Sequence, residues 1–357
     1  MTAKHKFVAN IPAKYLKMRH CLPKKCLLCT SFKLLHLGSF NKMISRRLLR
    51  IKVLQVAYAY FKSGIDSLAR SEKELFFSIA KTWELYLSVY VLLIDLAGYA
   101  HNRIDLARSK LSPSYEDLHP NTRFADNLLI RHLMEHEQLN SLLKKHKISW
   151  VNHPELIREL YNQLIESDIY AAYMKEPEIS WQSDRKFVLQ LLDGLILSSF
   201  SLDQVLEERS IYWNDDLEFA VRMAEKSLKK FSGGPVPPIP VFPLFKDKED
   251  KEFAKRLFRN IVLHHKEYEK MIDHHTRNWD VERIAFMDIL IMELAIAEIL
   301  ENDSIPTRVS FNEYIEIAKF YSTGKSSNFI NGILDKIIQQ LREEKRIVKR
   351  GRGLIGE

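Results

Sequence analysis

Helix-type spacing of apolar residues runs through almost the whole chain, which leaves little room for a fold that contains a sheet. No segment shows a clean alternation of apolar and polar residues, and glycine occurs only 11 times in 357 residues. We therefore predict an all-α protein. The expected helices cover roughly 45–62, 71–99, 122–146, 154–173, 184–199, 215–231, 249–276, 280–301, 310–321 and 325–346.

One segment interrupts the helical pattern. Residues 231–246 read FSGGPVPPIPVFPLFK, and their five prolines and two glycines cannot continue a helix. We predict a Pro-rich linker over 231–249. The KDKEDKE run that follows the prolines (246–252) is expected to be the solvated start of the next helix. The basic stretch KRIVKRGRG (345–353) near the end of the chain is expected to be disordered.

Charge is concentrated at the N-terminal end. Residues 1–63 carry 14 Lys/Arg and no Asp or Glu, which leaves −6 for the rest of a chain whose overall balance is +8. Such asymmetry indicates an anionic partner. Residues 1–42 also lack sustained periodicity and hold all three cysteines. A second interpretation is that the native start is Met43, and that residues 1–42 are a non-native or disordered extension.

Two other interpretations of residues 1–42 fit less well. A zinc knuckle would have irregular ligand spacing, and its candidate ligands are His20, Cys21, Cys26, Cys29 and His36. A secretory signal would be interrupted by polar residues and has no small-residue cleavage site after it. With Met43 as the start the protein has no cysteine, and we expect it in the reducing cytoplasm.

No apolar run approaches the roughly 18–20 residues needed to span a bilayer. The longest, Ile284–Leu300, is interrupted by Asp288, Glu293 and Glu298. We therefore predict a buried helix at this position and no membrane partner.

The stretch STGKSSN (322–328) ends like a phosphate-binding P-loop. That motif also needs a glycine five residues before the second one, and a strand leading into the loop. Here Lys319 occupies that position, and the preceding segment is helical. We interpret Gly324 as the turn between two helices and expect no nucleotide site.

The helix before this turn has its own start signals. Ser310 and Glu313 have the spacing of a capping box, and Val309 with Tyr314 has that of a hydrophobic staple. We therefore expect the helix to begin at Ser310.

The sequence His132-Leu-Met-Glu135-His136 matches the H-x-x-E-H pattern of some zinc proteases. The residues share a helix face, but so short a pattern arises easily in a chain with 13 histidines. An ordinary apolar stripe of Leu129, Leu133 and Leu139 surrounds it. We favour a solvated helix face, and expect no metal, no cofactor and no catalytic residue.

The helix over 44–63 has two distinct faces. At about 100° per residue, its predicted buried stripe is Leu49, Val53, Val56 and Tyr60. A basic flank with an aromatic neighbour consists of Arg46, Arg47, Arg50, Tyr58 and Lys62. Guanidinium groups bind phosphates in a bidentate manner, and guanidinium groups and aromatic rings can both stack on unpaired bases. A solvated basic face on a core helix is the alternative.

The last helix has a similar division. Its predicted core face is Phe329, Ile330, Ile333, Leu334, Ile337 and Leu341. Gly332 lies on the opposite face, where a glycine costs about 1 kcal/mol relative to alanine, so we expect close approach of a neighbour such as a helix. At the front of the helix, Lys325, Ser326 and Ser327 surround free backbone N–H groups, which suits a phosphate or a plain N-terminal cap.

Four segments together resemble the NusB family of bacterial transcription antitermination factors. They are RRLLRIKVLQVAYAY (46–60), DVERIAFMDILIMELAIAEIL (280–300), IPTRVSFNEYIEIAKFY (305–321) and GKSSNFINGILDK (324–336). The first matches the family's arginine-rich helix at Arg46, Arg47, Arg50, Gln55 and Tyr58. Lys325 departs from the family, which usually has an acidic residue near this turn.

The resemblance implies paired helical bundles that bind single-stranded boxA-type RNA with the ribosomal protein NusE and act on elongating RNA polymerase in ribosomal RNA operons. The implied RNA-binding residues are Arg46, Arg47, Arg50, Gln55, Tyr58, Lys325, Ser326 and Ser327.

The implied domain organisation departs from a short NusB in the middle of the chain. Residues 43–63 form the first helix, 64–230 a large helical insertion, 231–249 the linker, 250–346 the C-terminal helical domain and 347–357 a basic tail.

Two alternatives belong to other functional classes. One is a helical protein-binding adaptor that does not bind RNA. The other is a non-catalytic relative of the domains that precede RNA cytosine methyltransferases. An active methyltransferase is disfavoured, because no glycine-rich cofactor loop or downstream nucleophilic cysteine occurs.

Overall fold

The computed structural model describes residues 46–64, 67–231, 239–276, 285–323 and 326–355. Within these ranges the chain forms fourteen α-helices and no β-strand, which confirms the predicted all-α class. They are α1 Arg46–Ser63, α2 Leu68–Arg108, α3 Tyr115–Leu118, α4 Leu128–Glu135, α5 Glu137–His146, α6 Pro154–Ile165, α7 Asp168–Lys175, α8 Trp181–Gly194, α9 Phe200–Arg209, α10 Leu217–Lys230, α11 Lys248–Thr276, α12 Phe286–Glu301, α13 Thr307–Tyr321 and α14 Ser326–Glu343.

Several predictions concern residues outside the described ranges. These are the extension 1–42 with its Met43 start, the glycine- and proline-rich residues 232–238, and Gly324 and Lys325 of the turn. They stay predictions.

The chain divides into two compact units. Unit 1 comprises the described residues of Met1–Ile79 and Phe245–Glu357, and unit 2 comprises those of Ala80–Leu244. Helix α2 contributes its residues up to Ile79 to unit 1 and the remainder to unit 2.

Helix α12 is the centre of unit 1. It packs against α1, α11, α13 and α14, and nearly every residue from Met287 to Ile299 is buried. This confirms the predicted buried helix, and its apolar composition on all sides follows from being surrounded. Three of its four acidic residues, Asp288, Glu293 and Glu298, are buried too, so each needs a partner inside the protein.

In unit 2, three indole groups form hydrogen bonds between the long helix α2 and other segments. Trp150 Nε1 donates to the carbonyl oxygen of Ser88 at 2.9 Å, and Trp213 Nε1 donates to that of Lys81 at 2.7 Å. A third indole, that of Trp83 on α2 itself, donates to the carbonyl oxygen of Phe242 at 2.8 Å. Each indole thereby buries its rings while its single donor is satisfied.

The expectation that no apolar run is long enough to span a bilayer is wrong for α2. Among the described residues, this helix meets the length and hydropathy required of a span, and the bent pair Trp181–Ser198 with Phe200–Arg209 does so if counted as one span. In the structure, 72% of the apolar window of α2 is buried inside the protein. A buried helix of a protein core has the same length and composition, and Tyr86, Tyr90 and Leu93 of α2 are fully buried.

Two predicted helices are each broken in two. The stretch 122–146 is interrupted at His136, whose Nδ1 accepts from the Leu139 N–H and starts α5. The stretch 154–173 is interrupted at Ser167, whose hydroxyl accepts from the Tyr170 N–H and starts α7. In both cases a side-chain cap inside a continuous apolar pattern starts a new helix.

The last part of the expected linker is packed into unit 2. Ile239 and Phe242 are buried, and the Phe242 N–H donates to the hydroxyl of Tyr86 at 3.1 Å. The Pro240 carbonyl oxygen accepts from the Ser227 hydroxyl. Prolines end the helix here, but the apolar residues between them still contribute to the core.

Helix α13 begins at Thr307, one turn before the predicted Ser310, so the predicted capping box and staple are wrong. Ser310 is fully buried and donates its hydroxyl to Glu298 Oε1 at 2.7 Å. Glu313 instead accepts from Arg47. Partners on other helices take both side chains, so neither serves its own helix terminus.

The expected disorder of the basic tail is also wrong for its described part. Residues 346–355 run back along unit 1 and end in a 3₁₀ turn at Gly351–Leu354. The backbone N–H of Arg350 donates to the carbonyl oxygen of Asp303 at 2.9 Å.

Candidate nucleic-acid interface

Helix α1 packs on α11 and α12 through its predicted stripe. Leu49, Val53 and Val56 are buried as expected, whereas Tyr60 is partly exposed and packs edge-on against Phe258. The stripe fixes which way the remaining side chains of α1 face, and it turns the arginine flank towards α11, α12 and α13.

Arg50 lies at the centre of this flank, and it is buried. Its Nε and Nη2 donate to the two carboxylate oxygens of Glu298 at 2.7 Å and 2.6 Å. The side chains of Arg50 and Glu298 are 4% and 0% exposed. Ser310 and Tyr314 also donate to the same carboxylate, at 2.7 Å and 2.9 Å. This pair fixes α1 to α12 and α13 at a point shielded from solvent.

The charge states of the pair follow from these contacts. Burial alone would raise the pKa of Glu298, but the charge of Arg50 and the donors from Arg50, Ser310 and Tyr314 hold that pKa below its ordinary 4.5. Burial alone would lower the pKa of Arg50, and the Glu298 carboxylate reverses this effect. Both groups are therefore charged at neutral pH.

Arg47 and Arg46 make more exposed ion pairs. Arg47 donates two parallel hydrogen bonds to Glu313 at 2.9 Å and 2.8 Å, and its side chain is 30% exposed. Arg46 donates to Glu249 at 2.7 Å and to Asp250 at 3.1 Å, with its side chain 21% exposed.

Asp250 is buried, so the KDKEDKE run is not solvated throughout as expected. The carboxylates of Glu249 and Asp250 at the start of α11 approach the arginine flank. The arginine flank is therefore a set of salt bridges within unit 1. It is not the solvated basic face that the sequence offered as the alternative to an RNA-binding surface.

Further along α1, the structure brings Gln55 to the end of α13. Gln55 Nε2 donates to the hydroxyl of Tyr321 at 3.2 Å. Because Arg47 contacts Glu313 and Gln55 contacts Tyr321, the two helices run in the same direction. The amide of Gln55 is partly exposed beside the residues that lead into the turn.

Tyr58 is buried and packs against Phe286, with ring centroids 5.7 Å apart. Next to it, the ammonium group of Lys62 lies 4.3 Å from the centre of the Phe286 ring, on the exposed side of α1. Lys62 is therefore exposed at the surface of α1, on a Phe286 ring that packs against Tyr58 in the core.

The start of α14 lies beyond the same turn. Ser322 donates its hydroxyl to the buried carboxylate of Asp288, and the hydroxyls of Thr323 and Ser326 are 2.7 Å apart. Ser326 and Ser327 are partly exposed. Of the predicted RNA-binding residues, Gln55 contacts Tyr321 at the end of α13, and Ser326 and Ser327 begin the next helix, α14. Arg50 and Tyr58 lie in the core.

The predicted core face of α14 is confirmed except at Phe329, which is only partly buried, and the expectation for Gly332 is wrong. Ile330, Ile333, Leu334, Ile337 and Leu341 are buried. Gly332 is exposed, and a Cβ built on it meets no described atom within 4 Å. No neighbouring helix in the described part of unit 1 explains this glycine.

Sequence reasoning missed the partners of the buried carboxylates of α12, including the pairing of Arg50 with Glu298. The signal was available in Asp288, Glu293 and Glu298, which interrupt the most apolar helix of the chain. A buried acid needs a buried donor, so each predicts a partner elsewhere. The partners are Ser322, His265 and Arg50.

The expectation that the H-x-x-E-H pattern lies on a solvated helix face is wrong: α4 ends at Glu135, His136 is buried and His132 is partly buried. His136 caps α5 with Nδ1, and its Nε2 lies 2.8 Å from the carbonyl oxygen of Ile239, so both ring nitrogens are engaged. The ring of His132 stacks on Phe231 with centroids 4.7 Å apart. No group of three or more potential metal ligands occurs among the described residues.

Part of the chain is similar in sequence to known proteins. The sequence model of the NusB family matches residues 244–339, which begin at the last residue of unit 2 and run to α14. No solved structure matches the chain.

Curated relatives named transcription antitermination protein NusB are similar to part of the chain. The relative from Salinibacter ruber is 41% identical over 110 residues, which are 31% of this chain and 69% of the relative. Those from Chloroherpeton thalassium and Symbiobacterium thermophilum are 36% and 38% identical over 137 and 96 residues. These matches cover 38% and 27% of this chain and 63% of each relative.

Proposed function

This chain belongs to the NusB family, and we propose that it is a non-catalytic, cytoplasmic transcription antitermination factor. In this proposal it binds single-stranded boxA-type RNA together with the ribosomal protein NusE, and acts on elongating RNA polymerase in ribosomal RNA operons. The observation that carries the proposal is the 41% identity to the Salinibacter ruber transcription antitermination protein over 69% of that protein's length.

The geometry of α1 supports distinct roles for the three arginines. Arg50 is enclosed by Glu298 and acts as a positioning residue that holds α1 on α12 and α13. The side chains of Arg46 and Arg47 are 21% and 30% exposed, and of their carboxylate partners Glu249 is 58% exposed, Glu313 22% and Asp250 8%. Both guanidinium groups reach the solvent, unlike that of Arg50, so an RNA phosphate can bind their outer sides and compete with these carboxylates.

The second half of the proposed site lies beside Gln55. The amide of Gln55, the hydroxyls of Ser326 and Ser327 and the N-terminus of α14 offer donors to an RNA phosphate or base edge. Lys325 completes this half in the sequence. Tyr58 supports the site from the core through Phe286.

Fluorescence anisotropy with a labelled boxA-like RNA, with and without NusE, tests the proposal. The informative variant is Arg46→Gln with Arg47→Gln, because Arg50 stays in place to hold α1. Loss of up to two phosphate contacts should lower the magnitude of the salt slope, d log K/d log [salt], by about 1.4 at about 0.7 per contact on single strands. If wild-type protein does not bind this RNA at low salt in either condition, the RNA-binding function is refuted.

One observation favours a second candidate, a helical adaptor that binds protein and not RNA. All three arginines of the flank are paired with carboxylates inside unit 1. The same anisotropy measurement distinguishes the two, since an adaptor would bind NusE with no RNA affinity of its own and add none to the complex.

A further inference from the structure

The basic tail after α14 is held against the C-terminal end of α12. The ammonium group of Lys349 donates to the carbonyl oxygens of Ile299 and Asn302 at 2.9 Å and 2.8 Å. These carbonyls end a helix whose dipole is negative at that point, which favours a cation there. One lysine of the tail is therefore used to fix the tail in place.

Backbone contacts fix the next residues. The Arg350 N–H donates to the Asp303 carbonyl oxygen, and Gly353 lies so close to that residue that an added Cβ would be 1.9 Å from the same oxygen. Gly351 has a φ of +54°, a conformation that glycine adopts without strain. The sequence Gly-Arg-Gly thus allows the tail to lie directly on the loop between α12 and α13.

Docking leaves the other cations on the surface. Residues 345–355 contain five Lys/Arg and no Asp or Glu. Lys345 and Arg352 are exposed, and their side chains make no ion pair within the described part of the chain. Arg350 is 78% exposed, with its Nε 4.0 Å from the exposed carboxylate of Asp303, a pair of little strength. Arg346 is engaged by Glu267 at 2.7 Å.

The cations of the tail differ from the arginines of α1 in their ion pairing. In α1 each arginine of the predicted site already has a carboxylate partner within 3.1 Å. Lys345, Arg350 and Arg352 carry the same charge on a backbone that is held in one conformation. A phosphate that binds them displaces no strong internal ion pair and orders no free segment, so less of the interaction energy is lost.

We propose that the docked tail is a second RNA-binding surface, on which Lys345, Arg350 and Arg352 contact the phosphate backbone independently of base sequence. The inference rests on the proposed RNA-binding function and extends it to residues outside 244–339, the range matched by the family. Such contacts release counterions and add affinity that falls with salt.

The test variant carries Lys345→Gln, Arg350→Gln and Arg352→Gln. All three side chains are exposed, so the fold and the docking through Lys349 and Gly353 stay intact. Anisotropy is measured from about 50 to 200 mM salt with two single-stranded RNAs of equal length, one boxA-like and one unrelated in sequence. Loss of three contacts should reduce the magnitude of the salt slope by about 2, and affinity at about 0.1 M salt by about 100-fold, for both RNAs.

A matched control changes the charge by the same amount in unit 2. Lys144, Lys145 and Lys147 are exposed, and Lys147 has a φ of 53°, close to the 55° of Lys345. Their triple change to Gln should leave the slope within about 0.5 of wild type. If the wild-type protein binds RNA and the salt slope of the tail variant falls no more than that of this control, the proposed tail surface alone is overturned. Absence of wild-type RNA binding at low salt would overturn the proposed function and the tail surface with it.

Discussion

Replacing Arg50 by Met tests whether the arginine at the centre of α1 is a structural residue. Methionine keeps most of the length and apolar stem of arginine and removes its charge. The Glu298 carboxylate, fully buried, would then keep its hydrogen bonds from Ser310 and Tyr314 but lose the bidentate pair with Arg50. The variant therefore leaves a buried anion without the guanidinium group that is paired with it.

The magnitude follows from this geometry. Removing one partner of a buried ion pair typically costs about 3–5 kcal/mol. Because two hydroxyls still hold the Glu298 carboxylate, we expect a loss near the lower end, about 3 kcal/mol of the free energy of unfolding. Arg47→Met breaks the half-exposed pair with Glu313 and should cost about 1 kcal/mol or less.

Urea unfolding followed by far-UV circular dichroism measures both variants. With a slope of about 2–3 kcal/mol/M, Arg50→Met should lower the midpoint by about 1–1.5 M. Hydrogen exchange should localise the loss to the amides of α12 and α13. Adding Glu298→Gln to Arg50→Met removes the orphaned charge, so the double variant should recover part of the loss.

The pH dependence gives an independent check. The folded-state pKa of Glu298 lies below its ordinary 4.5 because Arg50 and the hydroxyl donors outweigh the effect of burial. A depressed carboxyl pKa contributes stability that is present above 4.5 and is lost as pH falls through the folded value. The difference between wild type and Arg50→Met should therefore shrink in acid. Equal losses for Arg50→Met and Arg47→Met at pH 7 would refute the reasoning.

Three further predictions address other sites. Gly332→Ala should raise the free energy of unfolding by about 0.8–1 kcal/mol in a urea titration, since the added methyl group meets open space on an exposed helix face; a loss would reveal a close neighbour. For the pair of His265 and Glu293, the hydrogen bond to Glu293 raises the pKa of His265 above 6.5, and burial raises the pKa of Glu293. Stability from this pair should therefore be lost as pH rises above 6.5, and His265→Gln should flatten the stability profile between pH 6 and 8; an unchanged profile would contradict it. Gly353→Ala should force the tail off Asp303 and speed tryptic cleavage within 345–352 by about tenfold, with no increase if the tail is already free.

The sequence by itself determined the helical class and most of the buried face of α1 and of α14. Leu49, Val53 and Val56 of α1 are buried as their spacing predicts, as are Ile333 and Ile337 of α14. Apolar spacing within a helix is a local property, because residues three and four apart face the same way whatever surrounds them. The central position of α12 could likewise be read from its near-continuous apolar composition.

Only the tertiary structure decided which charges meet. The partner of Arg50 is 248 residues away along the chain, and no local pattern encodes that distance. The same contact determines that Ser310 and Glu313 serve other helices and do not cap their own. Periodicity shows which face of a helix is buried, but pairing depends on which helices are neighbours. For that reason the arginines of α1 could be identified from the sequence. Only the fold shows that Arg50 is buried in an internal ion pair, whereas Arg46 and Arg47 stay partly exposed.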